Sequence, residues 1–221
     1  MIRRSLVAPE LRSSIRARLE PLALSLARLG LSPNRLTLAG FAIAAMGGLL
    51  AAFELWALAG VVATAGAGFD MLDGAVARAT GRESRLGAFM DSTFDRWGEA
   101  VVYLGIVVGA SRAGLDVAAW LAAAAMASAF MVSYARAKSE SLGFTSESGM
   151  AAVGLAPREV RTVILGAALV GAGLLGGVTG DVGAGGLFLV TGLAVIALLA
   201  TVTTIQRVLF VARQAAEQGG Q

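Results

Sequence analysis

The chain has no cysteine and no histidine. The first absence excludes a disulfide framework, a thiolate zinc site and a cysteine nucleophile. The second excludes an imidazole base, a Ser-His-Asp triad and a histidine-ligated metal. Lysine occurs once, at Lys138, so arginine supplies the rest of the 18 basic residues. Charged residues make up only 15% and aromatics 6%, whereas a soluble domain carries about 25% charged residues. What is abundant is apolar: 57% of the 221 residues are hydrophobic and the mean hydropathy is +0.74. This composition excludes an ordinary water-soluble globule, a disordered tail and a basic nucleic-acid-binding domain. Carboxylate, guanidinium, hydroxyl and one amine remain for chemistry. The formal charge is +3 and the pI near 10.2 reflects arginine. Arginine suits bidentate binding of phosphate and a cationic surface suits anionic lipid headgroups; neither requires a nucleic acid.

The first residues, MIRRSLVAPE, lead into no apolar run of the kind a cleavable signal peptide has. Residues 9–29 read as an amphipathic helix opened by Pro9, with Leu11, Ile15, Leu19, Leu22, Leu26 and Leu29 at helical spacing. Such a helix lies on a membrane surface or packs on the protein itself. Gly30 and Ser32-Pro33-Asn34 end it. A bilayer core needs about 20 apolar residues per helix, and six spans are expected at 35–53, 56–79, 88–110, 116–138, 160–178 and 185–209. Glycine and alanine are frequent in them, as close helix packing in a membrane requires. The longest expected loop is 143–157. The chain thus divides into an interfacial helix (1–30), a six-span domain (31–213) and a polar tail (214–221), an all-α integral membrane protein.

With six spans both termini share a side. All the basic residues except Arg112 then fall on that side, which the positive-inside rule makes cytoplasmic. The expected location is a cell inner or plasma membrane.

The second and third spans carry five acids: Asp70, Asp73, Asp91, Asp95 and Glu99. A charge within a span costs on the order of 2.5–3.5 kcal/mol. Asp70 and Asp73 are i, i+3; Asp91 and Asp95 are i, i+4; each pair shares a helix face. The short polar turn 80–85 predicts that the two helices run antiparallel and adjacent, with the carboxylates facing across one gap. Bare carboxylates that close repel unless protonated or bridged by cations. Hard oxygen ligands without histidine or cysteine favour Mg²⁺, Mn²⁺ or Ca²⁺, and a two-ion site can orient a diphosphate. Gly74, Ala77 and Gly87 leave room for a ligand, and Arg78 is placed to meet phosphate. The structural alternative for the acids is an ion network with neighbouring arginines. The alternative from another functional class is a cation transporter.

The full pattern is Asp70-x2-Asp73-Gly74-x2-Ala77-Arg78-x8-Gly87-x3-Asp91-x3-Asp95. It resembles, at all eight fixed positions, the signature of the CDP-alcohol phosphotransferase family. The resemblance implies six spans with a cytoplasmic amphipathic N-terminal helix, and a reaction in which a CDP-linked lipid loses CMP as its phosphoryl group passes to an alcohol. It implies Mg²⁺ or Mn²⁺, two ions, held by Asp70, Asp73, Asp91 and Asp95, with Asp95 also taking the proton of the attacking hydroxyl. It implies a nucleotide site of Asp70, Asp73, Gly74, Ala77, Arg78 and Gly87. Relatives are homodimers, which Gly- and Ala-rich spans permit. A carboxylate base agrees with the missing histidine, and P–O displacement depends mainly on positioning and charge neutralisation.

Ser133, Arg136 and Lys138 end the fourth span, Arg158 and Arg161 open the fifth, and Arg207 lies near the end of the sixth. Together they could bind a second phosphate; anchoring at lipid headgroups is the alternative. Ser133-Tyr134-Ala135-Arg136-Ala137-Lys138, Arg158-Glu159-Val160-Arg161 and Gln206-Arg207 are similar to the family branch that makes phosphatidylinositol phosphate from inositol phosphate. That branch has Lys and Arg exchanged in the first element and proline where Glu159 stands. The implied partners are CDP-diacylglycerol or a related CDP-lipid, a phosphorylated polyol and membrane lipids. The alternative acceptor is glycerol 3-phosphate, which would give phosphatidylglycerol phosphate. Glu99 reads as the partner of Arg96 or another cation and receives no role in the site, and Pro33, Asn34 and Thr37 read first as a helix break and start, the family resemblance implying a minor contact near the nucleotide as the alternative.

Overall fold

The computed structural model describes residues 21–144, 153–179 and 182–219. It is helical: α1 (21–28) precedes α2 (Pro33–Ala52), α3 (Trp56–Thr80), α4 (Arg85–Arg112), α5 (Asp116–Ser141), α6 (Arg158–Thr179) and α7 (Val182–Gly219). Each expected span falls within one of these helices, except that the first, 35–53, runs one residue past the end of α2. The part of the amphipathic helix before residue 21, and 145–152 of the expected loop, lie outside the described residues. By length and composition, α2, α5, α6 and α7 can cross a membrane. The 25-residue α3 and the 28-residue α4 have the length and carry the acids. At 1.5 Å per residue the 38-residue α7 is roughly 57 Å long. It therefore outruns a hydrocarbon core of about 30 Å and continues through residues 214–219, expected as a tail.

Packing closes the six long helices into a ring in the order α2, α3, α6, α7, α5, α4 and back to α2. Tyr103, Ile106, Leu169, Leu189, Leu193 and Ile196 fill the interior, with Ala118, Ala122, Ala125 and Ala129 along α5. Small residues bring backbones together where apolar burial no longer drives helix association. A Cβ on Gly105 of α4 would collide with the carbonyl of Gly48 on α2, and one on Gly47 would meet Ala63 of α3 at 2.9 Å. α2 therefore holds α3 on one side and α4 on the other.

That arrangement corrects one expectation. The turn after Thr80 is short, yet α3 and α4 barely touch, because α2 takes up both their packing faces. Asp73 of α3 is within electrostatic reach of Asp91 and Asp95 of α4 across the gap between these helices, with no packed seam between them. α1 packs on the protein through part of its surface. Ala23, Leu26 and Ala27 meet Leu36, Ala75 and Val76, while Leu22 and Leu29 are exposed.

Candidate active site

The site begins at the turn between α3 and α4. Gly81 ends α3 with φ 63°, a left-handed conformation that glycine adopts without cost. Ser84 caps α4, its hydroxyl accepting the Gly87 amide at 2.9 Å. From this turn α3 descends past Asp73 and Asp70, and α4 past Asp91, Asp95 and Glu99. A Cβ on Gly87 would crowd the capping Ser84 hydroxyl at 3.0 Å, whereas Asn34, at the start of α2, would stay at an ordinary contact distance of 3.6 Å. Gly74 is open on the side where the Arg78 guanidinium folds back, so that a Cβ there would lie 3.3 Å from Nη1. Arg78 is exposed, and Ala77 half-buried.

Asp73 is the most enclosed of the described acids, at 3% exposure. Its Oδ2 accepts the Thr37 hydroxyl at 2.6 Å, and its Oδ1 accepts the Gly74 amide. Both donors are neutral. Asp91 and Asp95 on α4 are close enough to repel the Asp73 charge. Asp91 in turn feels Asp95, Arg158 and Arg96. Among the described residues, then, Asp73 has no cationic partner while two further carboxylates bear on it. No three described acids close into a finished metal-binding cluster. The side chain of Asp70, the fourth expected ligand, lies outside the described residues. The donor set fits a divalent ion by chemistry: hard oxygens, excess negative charge and a cleft between two helices.

The expected acceptor residues part into two groups. Arg158, at the first position of α6, reaches Asp95 with Nη1 2.7 Å from Oδ1. Arg161, one turn on, is 1% exposed. It donates through Nε and Nη2 to Glu99, both at 3.0 Å, and through Nη1 to the Ala156 carbonyl at 3.0 Å. Arg207 is buried too, donating to the carbonyls of Val153 and Val132. Arg136 is exposed and pairs with Glu140 at 3.1 Å. The charges of Arg136, Arg161 and Arg96 all reach Arg207, so these guanidiniums share one end of the bundle. Ser133 donates to its own helix at Ala129. Lys138 is exposed and makes no ion pair among the described residues.

Thr203 is a participant that sequence reasoning misses; the sequence marks Thr37 first as part of a helix start and Glu99 only as the partner of some cation, which the structure shows to be Arg161. Thr37 stands one turn after Pro33 in an apolar run, and its isolation there is a signal. Thr203 is the same kind of residue, buried and accepting the Ala156 amide at 3.0 Å. Glu99 repeats the four-residue step from Asp95 as Arg161 repeats a turn from Arg158. Which helix met which was not written in either spacing.

A family model for CDP-alcohol phosphatidyltransferase matches residues 30–214. The chain belongs to the CDP-alcohol phosphatidyltransferase family. It is 38% identical over 105 residues to an archaetidylinositol phosphate synthase of Pyrococcus horikoshii, covering 47% of this chain and 50% of that one. It is 37% identical over 153 residues to a phosphatidylinositol phosphate synthase of Streptomyces avermitilis, covering 67% and 58%. The chain thus spans about half the length of the curated relatives it matches. In structure it is similar to the phosphatidylinositol phosphate synthase of Mycobacterium tuberculosis with CDP-DAG bound, at TM-score 0.69 and 28% identity over 87% of this chain and 92% of that one. The same enzyme with manganese and citrate gives TM-score 0.70 and 25% identity over 87% and 88%. As a member of this membrane family, the chain is an integral membrane protein.

Proposed function

We propose that this protein transfers the phosphatidyl group of CDP-diacylglycerol, or a related CDP-lipid, to a phosphorylated polyol and releases CMP. Inositol phosphate is the acceptor the reading favours. The observation that carries it is the pairing of two charge sets at one end of the ring. A buried Asp73 with only neutral donors sits in reach of Asp91 and Asp95, and Asp95 is met by Arg158 from α6.

Asp70, Asp73, Asp91 and Asp95 would hold Mg²⁺ or Mn²⁺, two ions, and the bound metal would neutralise the pyrophosphate of the CDP-lipid. Manganese in the M. tuberculosis enzyme supports the choice of ion. Gly74, Ala77, Arg78 and Gly87 leave the cleft open for the cytidine nucleotide, with Arg78 at its exposed edge. The acceptor hydroxyl oxygen attacks the lipid-side phosphorus. A new P–O bond forms, the bond to the bridging oxygen breaks, and CMP departs with that electron pair. The hydroxyl proton passes to the Asp95 carboxylate. Arg158 orients Asp95 beforehand, and the acceptor's phosphate offers Arg158 a second anion. Ser133, Arg136, Lys138, Arg161 and Arg207 surround or support that anion site.

The six long helices support six spans in residues 31–213, with 1–30 lying on the membrane surface and 214–221 as the polar end. Exposed Leu22 and Leu29 beside the packed Ala23 suit a helix with one face in lipid and one on the protein. Arg112 pairs with Glu54 at the end opposite the site, in keeping with a cytoplasmic active site and cytoplasmic termini in an inner or plasma membrane. A homodimer completes the reading, since exposed apolar helix faces and small residues permit one.

The test is CMP release by the purified chain with Mg²⁺, CDP-diacylglycerol and a panel of inositol phosphate, glycerol 3-phosphate and free inositol. Release with inositol phosphate alone is expected. Release with glycerol 3-phosphate alone replaces the acceptor. Cation flux in liposomes without CMP release under any condition overturns the enzyme reading.

A further inference from the structure

Arg96, Arg112, Arg136, Arg158 and Arg161 meet acids, and Arg207 meets carbonyls. Arg28, Arg35, Arg82 and Arg85 differ: all are exposed, and none forms an ion pair among the described residues. They gather at the end of the ring that holds the acidic motif. α1 packs on Leu36 of α2 and on Ala75 and Val76 of α3. Asn34 Oδ1 lies 3.6 Å from the position a Gly87 Cβ would take. The helix α1, the start of α2, the end of α3 and the start of α4 therefore share one face. Residues 21–38 and 74–90 carry these arginines, Arg78 and a single acid, Glu83. Arg35 and Arg85 stand in the first turns of α2 and α4, neither of which has an acid. A cation is disfavoured at the positive end of a helix dipole, and an anion is favoured there.

Behind two of these arginines an exposed apolar side chain lies one turn deeper. Arg35 and Leu38 are i, i+3 on α2, and Arg85 and Phe89 are i, i+4 on α4, so each pair shares a helix face. Leu38 is 44% and Phe89 66% exposed. On α1, Leu24 and Arg28 form the same kind of pair, and Leu24 is exposed as well. Charge at the surface with apolar carbon beneath it is the order of headgroup and chain in a phospholipid. A soluble anion would need no apolar neighbour. We propose that this face binds anionic phospholipid of the leaflet at the site end, and selects it over zwitterionic lipid, through Arg28, Arg35, Arg82 and Arg85. Each arginine held near an anionic membrane surface strengthens attachment about five-fold. Such binding requires only that the chain sits in a membrane, and it is independent of the reaction proposed above. Arg78, placed with the nucleotide, has no part in it.

The experiment titrates the delipidated full-length protein, in a non-ionic detergent, with phosphatidylglycerol or with phosphatidylcholine of the same chains. Native mass spectrometry counts the lipid bound. Phosphatidylglycerol is expected to bind on the order of ten-fold more tightly at about 0.1 M salt, and most of that advantage is expected to vanish near 1 M, where the screening length falls to about 3 Å. Replacing all four residues (Arg28→Gln, Arg35→Gln, Arg82→Gln, Arg85→Gln) should bring the two lipids within about two-fold of each other. The same four positions changed to lysine keep the charge and should keep most of the preference. Arg112→Gln, at the opposite end of the bundle, should leave it unchanged. Equal binding of the two lipids by the wild type overturns the proposal. So does a preference that survives the glutamine replacements, one that salt does not weaken, or one lost in the lysine variant or in Arg112→Gln. Should the quadruple glutamine variant fail to fold, Arg82→Gln with Arg85→Gln alters only the exposed turn and the first residue of α4. That pair is then expected to lose part of the preference, and no loss overturns the assignment. Lipid binding is read without turnover, so a chain that releases no CMP overturns the reaction proposed above and leaves this result standing.

Discussion

Replacing Thr37 by valine removes one hydroxyl and changes little else in shape, at the point where α2 touches the acidic motif. Thr37 and Asp73 are 4% and 3% exposed, and Oγ1 donates to Oδ2 at 2.6 Å. A hydrogen bond to a charged group contributes about 1.5–3 kcal/mol, and each 1.4 kcal/mol is about a factor of ten. The whole interaction therefore corresponds to about 10- to 150-fold in any equilibrium that needs a charged, correctly turned Asp73. The Gly74 amide still holds the other oxygen, so the lower end applies: about a ten-fold rise in the Mn²⁺ concentration for half-maximal CMP release. The assay is a Mn²⁺ titration at saturating CDP-diacylglycerol. Thr37→Ser keeps the hydroxyl and is expected to stay near wild type. An unchanged metal requirement in Thr37→Val, or equal loss in the serine variant, refutes the claim that this hydroxyl orients a metal-binding carboxylate.

Asp95→Asn is expected to bind CDP-lipid better than it turns it over, whereas Asp70→Asn and Asp73→Asn lose metal-dependent nucleotide binding; isothermal titration beside CMP release separates the two, and equal activity in all three refutes the roles. Arg158→Ala should raise the acceptor KM more than the CDP-lipid KM, and Arg158→Lys should fall between, since lysine cannot reproduce the bidentate fork. Gly105→Ala puts a methyl group against the Gly48 backbone and should cost about 1–3 kcal/mol or more, read as a lower melting temperature in detergent. Gly176→Ala meets nothing within 4 Å and serves as the control, unchanged or up to about 1 kcal/mol more stable.

The acidic motif and the helix-rich architecture were legible because each rests on short-range pattern. Apolar runs mark α2 to α7, and the spacing of Asp70, Asp73, Asp91 and Asp95 fixes which residues share a face. Pairing across the bundle was not legible. Nothing in the turn from Thr80 to Arg85 says that α2 will stand against both α3 and α4; that follows from Gly47, Gly48 and Gly105 meeting across helices. Arg158 and Arg161 look alike in sequence, and only their depth separates an arginine beside the cleft from one engaged with Glu99 and Ala156. Leu22 and Leu29 follow the same logic, since an apolar residue on a membrane protein can face lipid as readily as protein.

The central claim is that aspartates of α3 and α4 share divalent metal over which the CDP-lipid pyrophosphate sits. Electron paramagnetic resonance of Mn²⁺ added to the purified protein tests it most directly. Bound Mn²⁺ whose spectrum changes on adding CDP-diacylglycerol, with both the binding and the change lost in Asp73→Asn and Asp91→Asn, is the predicted result. Mn²⁺ that stays free in the wild type with CDP-diacylglycerol present, or that binds equally well to both variants, would contradict it.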